Sequence, residues 1–393
     1  MIDDLRLQAG YCQATSPLYT ALYEHLADLY QARSDGRTDP ALRDFYETVD
    51  HCWRGRSFTA WFERPLLLAG ALHEQTLSGY APALTPFYAS CGGGFEASQS
   101  KALGKAVNQV LAARHRDMVP FLSQGTIQTN ETSRGLTWLL PVLARWQEMR
   151  PGVTLIELGC SAGLGLVADK YGYQVHGPAG QVWSQEGDPR FEITLSGAGA
   201  ACAYSSLASL PGLTAALCTR IGCDLRPLDC SEEDQKRILE ALIWPDNAPR
   251  LARLRAAIDT QGQHDVRFER GDMVACVQRL SKSAVADTPM VVLFNTVASC
   301  YLDHDHYAAL HHTIGAAFDG PWADKDCLWV EFEMSRTDEA LPDYAQGQEQ
   351  LIKMHSPDGQ GGLRTHYFGA ATAHPTEIKI FQDPDREKKT AIQ

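Results

Sequence analysis

The chain lacks most of the features that would settle its class at sight. None of its 11 cysteines forms a C-x-x-C pair. The nearest clustering, Cys218, Cys223 and Cys230, has no zinc-finger spacing, so no metal is expected and free thiols are the expected state. No apolar run approaches the roughly 18 residues of a membrane span. The opening stretch MIDDLRLQAG has neither a basic n-region nor an apolar h-region, so no signal peptide and no membrane partner are expected, and the cytoplasm is the expected location. There is no excess of positive charge: 35 Lys and Arg stand against 48 Asp and Glu, for a formal net charge of -13. Without a basic stripe to displace counterions, nucleic acid is not an expected partner. No internal repeat is present, and nothing in the residues fixes an oligomeric state.

The chain has 393 residues, 44% hydrophobic and 21% charged. That is globular composition with material for one large domain or two ordinary ones. Residues 1–148 read as an α-helical domain. Leu18, Leu22, Leu26 and Leu29 recur at helical spacing, as do the apolar residues of Leu136–Trp146, and no stretch alternates with period two. Cys91-Gly92-Gly93-Gly94 interrupts this region and reads as a flexible loop, or more sharply as a lid hinge or oxyanion loop.

After Pro151 the texture changes. Short apolar runs at Val153–Leu158, Cys218–Asp224, His264–Glu269, Met290–Phe294 and Cys327–Phe332 are separated by helical patterns. His366–Ala370 and Glu377–Phe381 follow. The alternation predicts an α/β domain over 149–382 with a mostly parallel sheet. Residues 177–215, rich in Gly, Ala and Ser, read as an insertion carrying a hairpin or loops, and 383–393 as a flexible tail.

The stretch TLIELGCSAGLGL decides the functional reading. Gly159-Cys160-Ser161-Ala162-Gly163 fits G-x-S-x-G, a hydrolase nucleophile elbow with Ser161 as nucleophile. That reading requires strands before Ser161, and the preceding residues supply none. Asp272 and His366 are its available acid and base. A dinucleotide loop, G-x-G-x-x-G, would need glycine at 161 and 164. The remaining reading is a loop for S-adenosyl-L-methionine (AdoMet): an acid ending the first strand, then G-x-S-x-G, then a helix. Gly159 permits the turn, Gly163 lets backbone approach the ligand, and Ser161 is small enough not to obstruct it. Free N–H groups at the helix start suit the methionine carboxylate, and Glu157 suits its ammonium. An acid after the second strand is expected on the ribose hydroxyls; Asp224 is the first choice and Asp188 the rival. Asp272 sits where an adenine amino group is expected, or serves as a helix N-cap. Asn295, past the fourth strand, lies where methyl group and acceptor would meet. Asn130 and Tyr173 complete the expected cofactor shell.

LIELGCSAGLGLVADKYGY, TNETSRGLTWLLP, GCDLRPLD, WPDNAPRLARLRAAI and FERGDMVACV together resemble a bacterial family of uncharacterised proteins with an EVGASAGLNL-type signature. That family is similar in its core to class I AdoMet-dependent methyltransferases, with a helical domain in front. The resemblance runs from before residue 125 to about 335. It implies a Rossmann-like class I methyltransferase sheet and AdoMet as cofactor, and no particular substrate. The chain departs from the signature at Gly165, where Asn is usual, and at Ala298-Ser299-Cys300, where an aromatic is common.

Methyl transfer to a small-molecule or carrier-bound acceptor is therefore the expected reaction. It needs alignment above all, and a general base only for a protonated acceptor. His304, His306 and Glu131 are candidates for that base, and Tyr301 and Asn295 for the pocket lining. The bland readings are a solvated helix start for the two histidines and an N-cap for Asn130-Glu131. No N/D-P-P-Y is present, which disfavours nucleic-acid base methylation. Three alternatives remain open: an AdoMet cyclase or lyase releasing methylthioadenosine, a serine hydrolase, and a non-catalytic AdoMet-binding protein.

Overall fold

Among the described residues no strand precedes Val153. The computed structural model describes residues 1–58, 60–127, 130–146, 150–283, 285, 288–337 and 339–382. The expected tail, 383–393, lies outside them, as do residues 147–149 around the expected domain boundary. The chain divides into two units, Met1–Thr129 with Asp229–Leu254, and Asn130–Leu228 with Arg255–Gln393.

The first unit is helical. Its longest helix, Pro17–Ser34, starts where sequence chemistry dictates: the Ser16 hydroxyl accepts from Tyr19 N at 3.2 Å, and Pro17 fills the first position, where an N–H would have no partner. Leu18, Leu22 and Leu26 are fully buried on one face, together with Tyr19 and Tyr23. The glycine run is an ordered turn. Gly92 adopts φ +86°, and a Cβ on Gly93 would lie 2.3 Å from Thr85 O, so a side chain there is excluded by backbone.

The unit boundaries differ from those expected. Residues 229–254 belong with the helical unit, where the Ser16 hydroxyl donates to Asp246 Oδ2 at 2.8 Å and His73 Nδ1 pairs with Ala241 O at 3.2 Å. Conversely, helix Gly135–Arg145 belongs to the second unit, with Trp138 stacked on Phe294 at 4.6 Å. Helical periodicity reports a buried face but not the partner that buries it.

The second unit is α/β, built on one 11-stranded sheet. Its strands are β1 (Val153–Leu158), β2 (Gly172–Gly177), β3 (Gly180–Gln185), β4 (Arg190–Ser196), β5 (Leu217–Asp224), β6 (Arg267–Arg270), β7 (Met290–Thr296), β8 (Asp326–Met334), β9 (Gln350–Pro357), β10 (Leu363–Ala371) and β11 (Glu377–Ile380). The order is β3-β2-β4-β11-β10-β9-β8-β7-β1-β5-β6. The run β8-β7-β1-β5-β6 is parallel throughout, whereas β9 is antiparallel to both β8 and β10. The apolar runs of β1 and β7 follow from this: both strands are central and buried on both faces. Ile156, Leu158, Ile221, Val291, Leu293 and Trp329 form the core on one of these faces.

The expected insertion is part of the sheet. β2 and β3 form an antiparallel hairpin, and β4 joins β2 to β11 with parallel pairing on both sides. Helices Ala200–Leu207 and Leu210–Ala216 then lead into β5.

Candidate functional site

Strand order reverses around β1, although the strands stay parallel: β5 and then β6 are added on one side, and β7 and then β8 on the other. In open α/β sheets the crevice outside the carboxyl ends of two such strands is the usual ligand site. The loops leaving β1, β6 and β7 converge there on Gly159. Its φ is +77°, and a Cβ on it would lie 2.5 Å from the Ala298 Cβ and 3.1 Å from Met273 Cε. Glycine is thus required twice, by conformation and by space.

Glu157 is the last residue but one of β1, and its side chain is buried. One oxygen faces Gly165 so closely that a Cβ there would lie 2.4 Å from it. This explains glycine at 165. The other oxygen, Oε2, is buried without a hydrogen-bond partner. Burial, then the nearby Asp224 charge, push the Glu157 carboxyl well above its usual range, against the opposing pull of the Leu166 N–H and the Arg134 charge. Arg134 is itself buried and donates to Thr296 O at 3.1 Å and Ala373 O at 2.9 Å.

Ser161 takes φ +50°, uncommon for a non-glycine residue. Its N–H donates to Asp224 Oδ2 at 2.8 Å, and its hydroxyl accepts from Asn130 Nδ2 at 3.0 Å. Asp224 Oδ1 accepts from Arg226 N at 2.8 Å. Asn130, Glu157, Gly159, Ser161, Gly163 and Asp224 are therefore brought to one turn. Asp188 lies on the turn before β4, where its carbonyl accepts from Thr260 Oγ1 at 2.6 Å, near the end of helix Ala248–Gln261.

Other predicted site residues lie elsewhere or are occupied. Tyr173 is buried with its hydroxyl on Ala168 O at 2.9 Å, and it packs beneath Gly135, where a Cβ would come within 2.2 Å of that hydroxyl. Asp272 accepts from Ala275 N at 2.8 Å, capping helix Met273–Ser283 at its free N–H groups. Glu131 accepts from Ser133 N and Oγ at 3.1 and 2.8 Å, and its other oxygen meets His374 Nδ1 at 2.6 Å. His306 is exposed and pairs with Asp303 at 2.6 Å; that hydrogen bond, then the Asp303 charge, raise its imidazole pKa. Tyr301 is half-exposed on the loop after β7.

Asn295 leads to a site that the sequence did not disclose. Fully buried, its Nδ2 donates to Glu333 Oε1 at 2.7 Å, and its Oδ1 accepts from Trp329 Nε1 at 2.7 Å. Glu333 Oε1 also accepts from Ala298 N and Ser299 N at 2.6 and 2.8 Å, and Oε2 from Cys300 N at 3.3 Å. Three consecutive backbone donors thus wrap one carboxylate, an anion-binding nest. The reversal that aims them forces Val297 to φ +53°, a strained conformation for a β-branched residue. Burial, then the Glu331 charge, raise the Glu333 carboxyl despite these donors.

Glu331 lies two residues earlier on β8, also fully buried. Its Oε2 accepts from Tyr307 OH at 2.8 Å and meets His355 Nε2 at 3.0 Å, with Lys353 Nζ at 3.7 Å. Burial would raise this carboxyl, but the imidazoles of His311 and His355 and the Lys353 charge outweigh it and hold it well below its usual range. Lys353, 1% exposed, binds Glu339 at 3.0 and 3.2 Å. A cleft of about 430 Å³ opens over this network, lined by Ser299, Cys300, His304, Tyr307, Glu333 and Lys353 among others. His304 is the predicted catalytic residue that borders it. The signal for Glu331 and Glu333 was present: two acids spaced i, i+2 in LWVEFEM, inside an apolar strand, must be buried with partners or exposed at a cost to the strand.

All 11 cysteines are free thiols. Among the described residues no helix is long and apolar enough to cross a membrane. No curated protein matches the chain. Residues 3–379 match the model of a family described as "Uncharacterized protein conserved in bacteria (DUF2332)", and the chain belongs to that family.

Proposed function

We propose that the α/β unit binds AdoMet at the carboxyl ends of β1, β5 and β7 and transfers its methyl group to a small-molecule or carrier-bound acceptor in the adjoining cleft. The observation that carries this reading is the buried, unpartnered Glu157 Oε2 at the glycine turn. A buried carboxylate oxygen without a donor is costly, and a ligand ammonium would satisfy it. The parallel strands support the reading. Numbered by chain order among themselves, β6-β5-β1-β7-β8 reads 3-2-1-4-5, as in doubly wound nucleotide-binding sheets, and the turn lies at the switch point.

AdoMet supplies a methyl group on an already activated sulfonium, so the protein's task is alignment. In this reading Glu157 takes the ammonium, and Asp224 takes the ribose hydroxyls with its remaining lone pairs. Glu333 fixes the loop 297–300 that separates cofactor from acceptor. Asn295 acts as a positioning residue, because its amide is committed to Glu333 and Trp329. His304, bordering the cleft, is the group placed to take an acceptor proton.

The test is calorimetric titration with AdoMet, followed by incubation with AdoMet alone and with fractionated metabolite extract, with products identified by mass spectrometry. Saturable binding, weakened in Glu157→Ala, and S-adenosylhomocysteine formed only with extract are the expected results. Methylthioadenosine released without an acceptor would replace transfer by cyclisation. Binding with neither product would make the protein a non-catalytic AdoMet binder. No AdoMet binding, with an esterase activity abolished by Ser161→Ala, would overturn the reading.

A further inference from the structure

The buried network beside the cleft holds a second grouping of a different chemical kind. His311 Nε2, Glu331 Oε2 and His355 Nε2 converge from helix His304–Phe318, β8 and β9. Ligand atoms of these three residues all lie within 4.8 Å of one another. Glu331 Oε2 stands 3.0 Å from His355 Nε2 and 3.8 Å from His311 Nε2. Ligand atoms about 2.0–2.1 Å from a tetrahedral ion are roughly 3.3 Å apart, so small side-chain rotations close the set around one ion.

Two further observations point the same way. His311 Nε2 is buried and has no hydrogen-bond partner, although it is directed at a carboxylate. The other nitrogen of His355, Nδ1, lies 2.9 Å from Thr365 Oγ1. An outer partner of this kind fixes ring orientation and leaves Nε2 for a ligand bond. Charge also favours a cation. Glu331 and Glu339 share one buried ammonium, Lys353, which sits 3.0 Å from Glu339 and 3.7 Å from Glu331. Buried carboxylates in excess of nearby cations are costly.

We propose that His311, Glu331 and His355 bind a divalent transition-metal ion, of the kind that two imidazoles and one carboxylate select, such as Zn²⁺ or Co²⁺. Hard ions such as Mg²⁺ and Ca²⁺ prefer all-oxygen shells and do not suit this set. Tyr307, which borders the cleft, donates to Glu331 Oε2. The ion therefore lies one residue behind the cleft wall and sets the position of Glu331 and, through it, Tyr307. The site stands apart from Glu157 and Asp224 and does not rest on the methyl-transfer reading.

The test uses the full chain, stripped with chelator and titrated with Co²⁺ and then Zn²⁺. Calorimetry and visible absorption follow the titration. One equivalent of Co²⁺ is expected to bind, with d–d bands of a four- or five-coordinate nitrogen–oxygen site and no thiolate charge-transfer band, and Zn²⁺ is expected to displace it. His311→Gln is expected to weaken binding at least about tenfold. Thr365→Val, which keeps all three ligands and guards against a misfolded first variant, is expected to weaken it by about 10-fold or more. Sub-stoichiometric binding, a thiolate band, or affinity unchanged in both variants would overturn the proposal.

Discussion

Gly165 stands so close to Glu157 that a single added methyl group would come within 2.4 Å of the Glu157 Oε1. The glycine and the carboxylate therefore form one unit: near the end of the first strand stands an acid whose side chain occupies the space that any residue but glycine at 165 would fill. Gly165→Ala is expected to destabilise the protein by about 1–3 kcal/mol, the usual cost of overpacking a buried site. Denaturant titration measures it. A change below about 0.5 kcal/mol would mean that Glu157 moves away without cost. In that case Gly165 does not hold its orientation.

Glu157 carries a second expectation, about pH. Its carboxyl is raised in the folded protein, by burial first and by Asp224 second. A raised group contributes stability that is fully present below its unfolded value, about 4.3, and is lost as pH rises through the folded value. Glu157→Gln keeps the shape without the buried charge. It is expected to raise the melting temperature of the ligand-free protein by a few degrees at pH 8 and by little at pH 4. The same variant is expected to lose AdoMet affinity. A variant no more stable at pH 8 would show that the native carboxylate carries no burial penalty.

The strands that position the turn were readable because they are central. VTLIEL and MVVLFNT are buried on both faces, and a continuous apolar run is what such burial requires. β4 carries a legible signal inside the expected insertion: in RFEITLS, Phe191, Ile193 and Leu195 are buried and alternate with polar residues, a period-two pattern that the Gly-rich flanks obscure. β9 was not readable. QLIKMHSP places Lys353 and His355 inside the protein, and only the register explains it, since Lys353 lies opposite Glu331 and His355 opposite Trp329. Polar residues paired across a sheet look like a loop in one dimension. The same holds for Asn295. Its place at the end of an apolar strand was visible, but its partners, 34 and 38 positions away at Trp329 and Glu333, were not. The family model matches residues 3–379, yet the grouping around Glu331 is visible in the packing alone.

Asp224 and Asp188 make opposite predictions. Asp224 closes the turn by accepting from Ser161 N and Arg226 N, both at 2.8 Å, at the carboxyl end of the strand beside β1. Asp224→Asn keeps a carbonyl acceptor but loses the charge, and it is expected to lower AdoMet affinity at least about tenfold, or about 1.4 kcal/mol. Asp188→Asn, on the turn before β4 where the residue's carbonyl accepts from Thr260 Oγ1, is expected to leave affinity within about twofold. Calorimetric titration of the two variants side by side decides between them. A larger loss in Asp188→Asn would transfer the ribose to that residue.

Lys353 is the most demanding residue in the network. Only 1% exposed, it lies between Glu331 and Glu339. Removing one partner of a buried ion pair costs about 3–5 kcal/mol, because the remaining charge is left without compensation. Lys353→Met, which keeps the length and removes the ammonium, is expected to cost that much at neutral pH. The dependence on pH follows from Glu331. Its carboxyl is held below its usual range by the imidazoles and by Lys353 against the opposing effect of burial. A depressed carboxyl contributes stability above its unfolded value and loses it as pH falls through the folded value. Without Lys353 part of that depression disappears, so the gap between variant and native protein is expected to narrow as pH falls below about 4.3. Denaturant midpoints measured from pH 7 to pH 3.5 give the comparison. A gap that stays constant across this range would assign the loss to packing of the lysine stem, with the ion pairs contributing nothing.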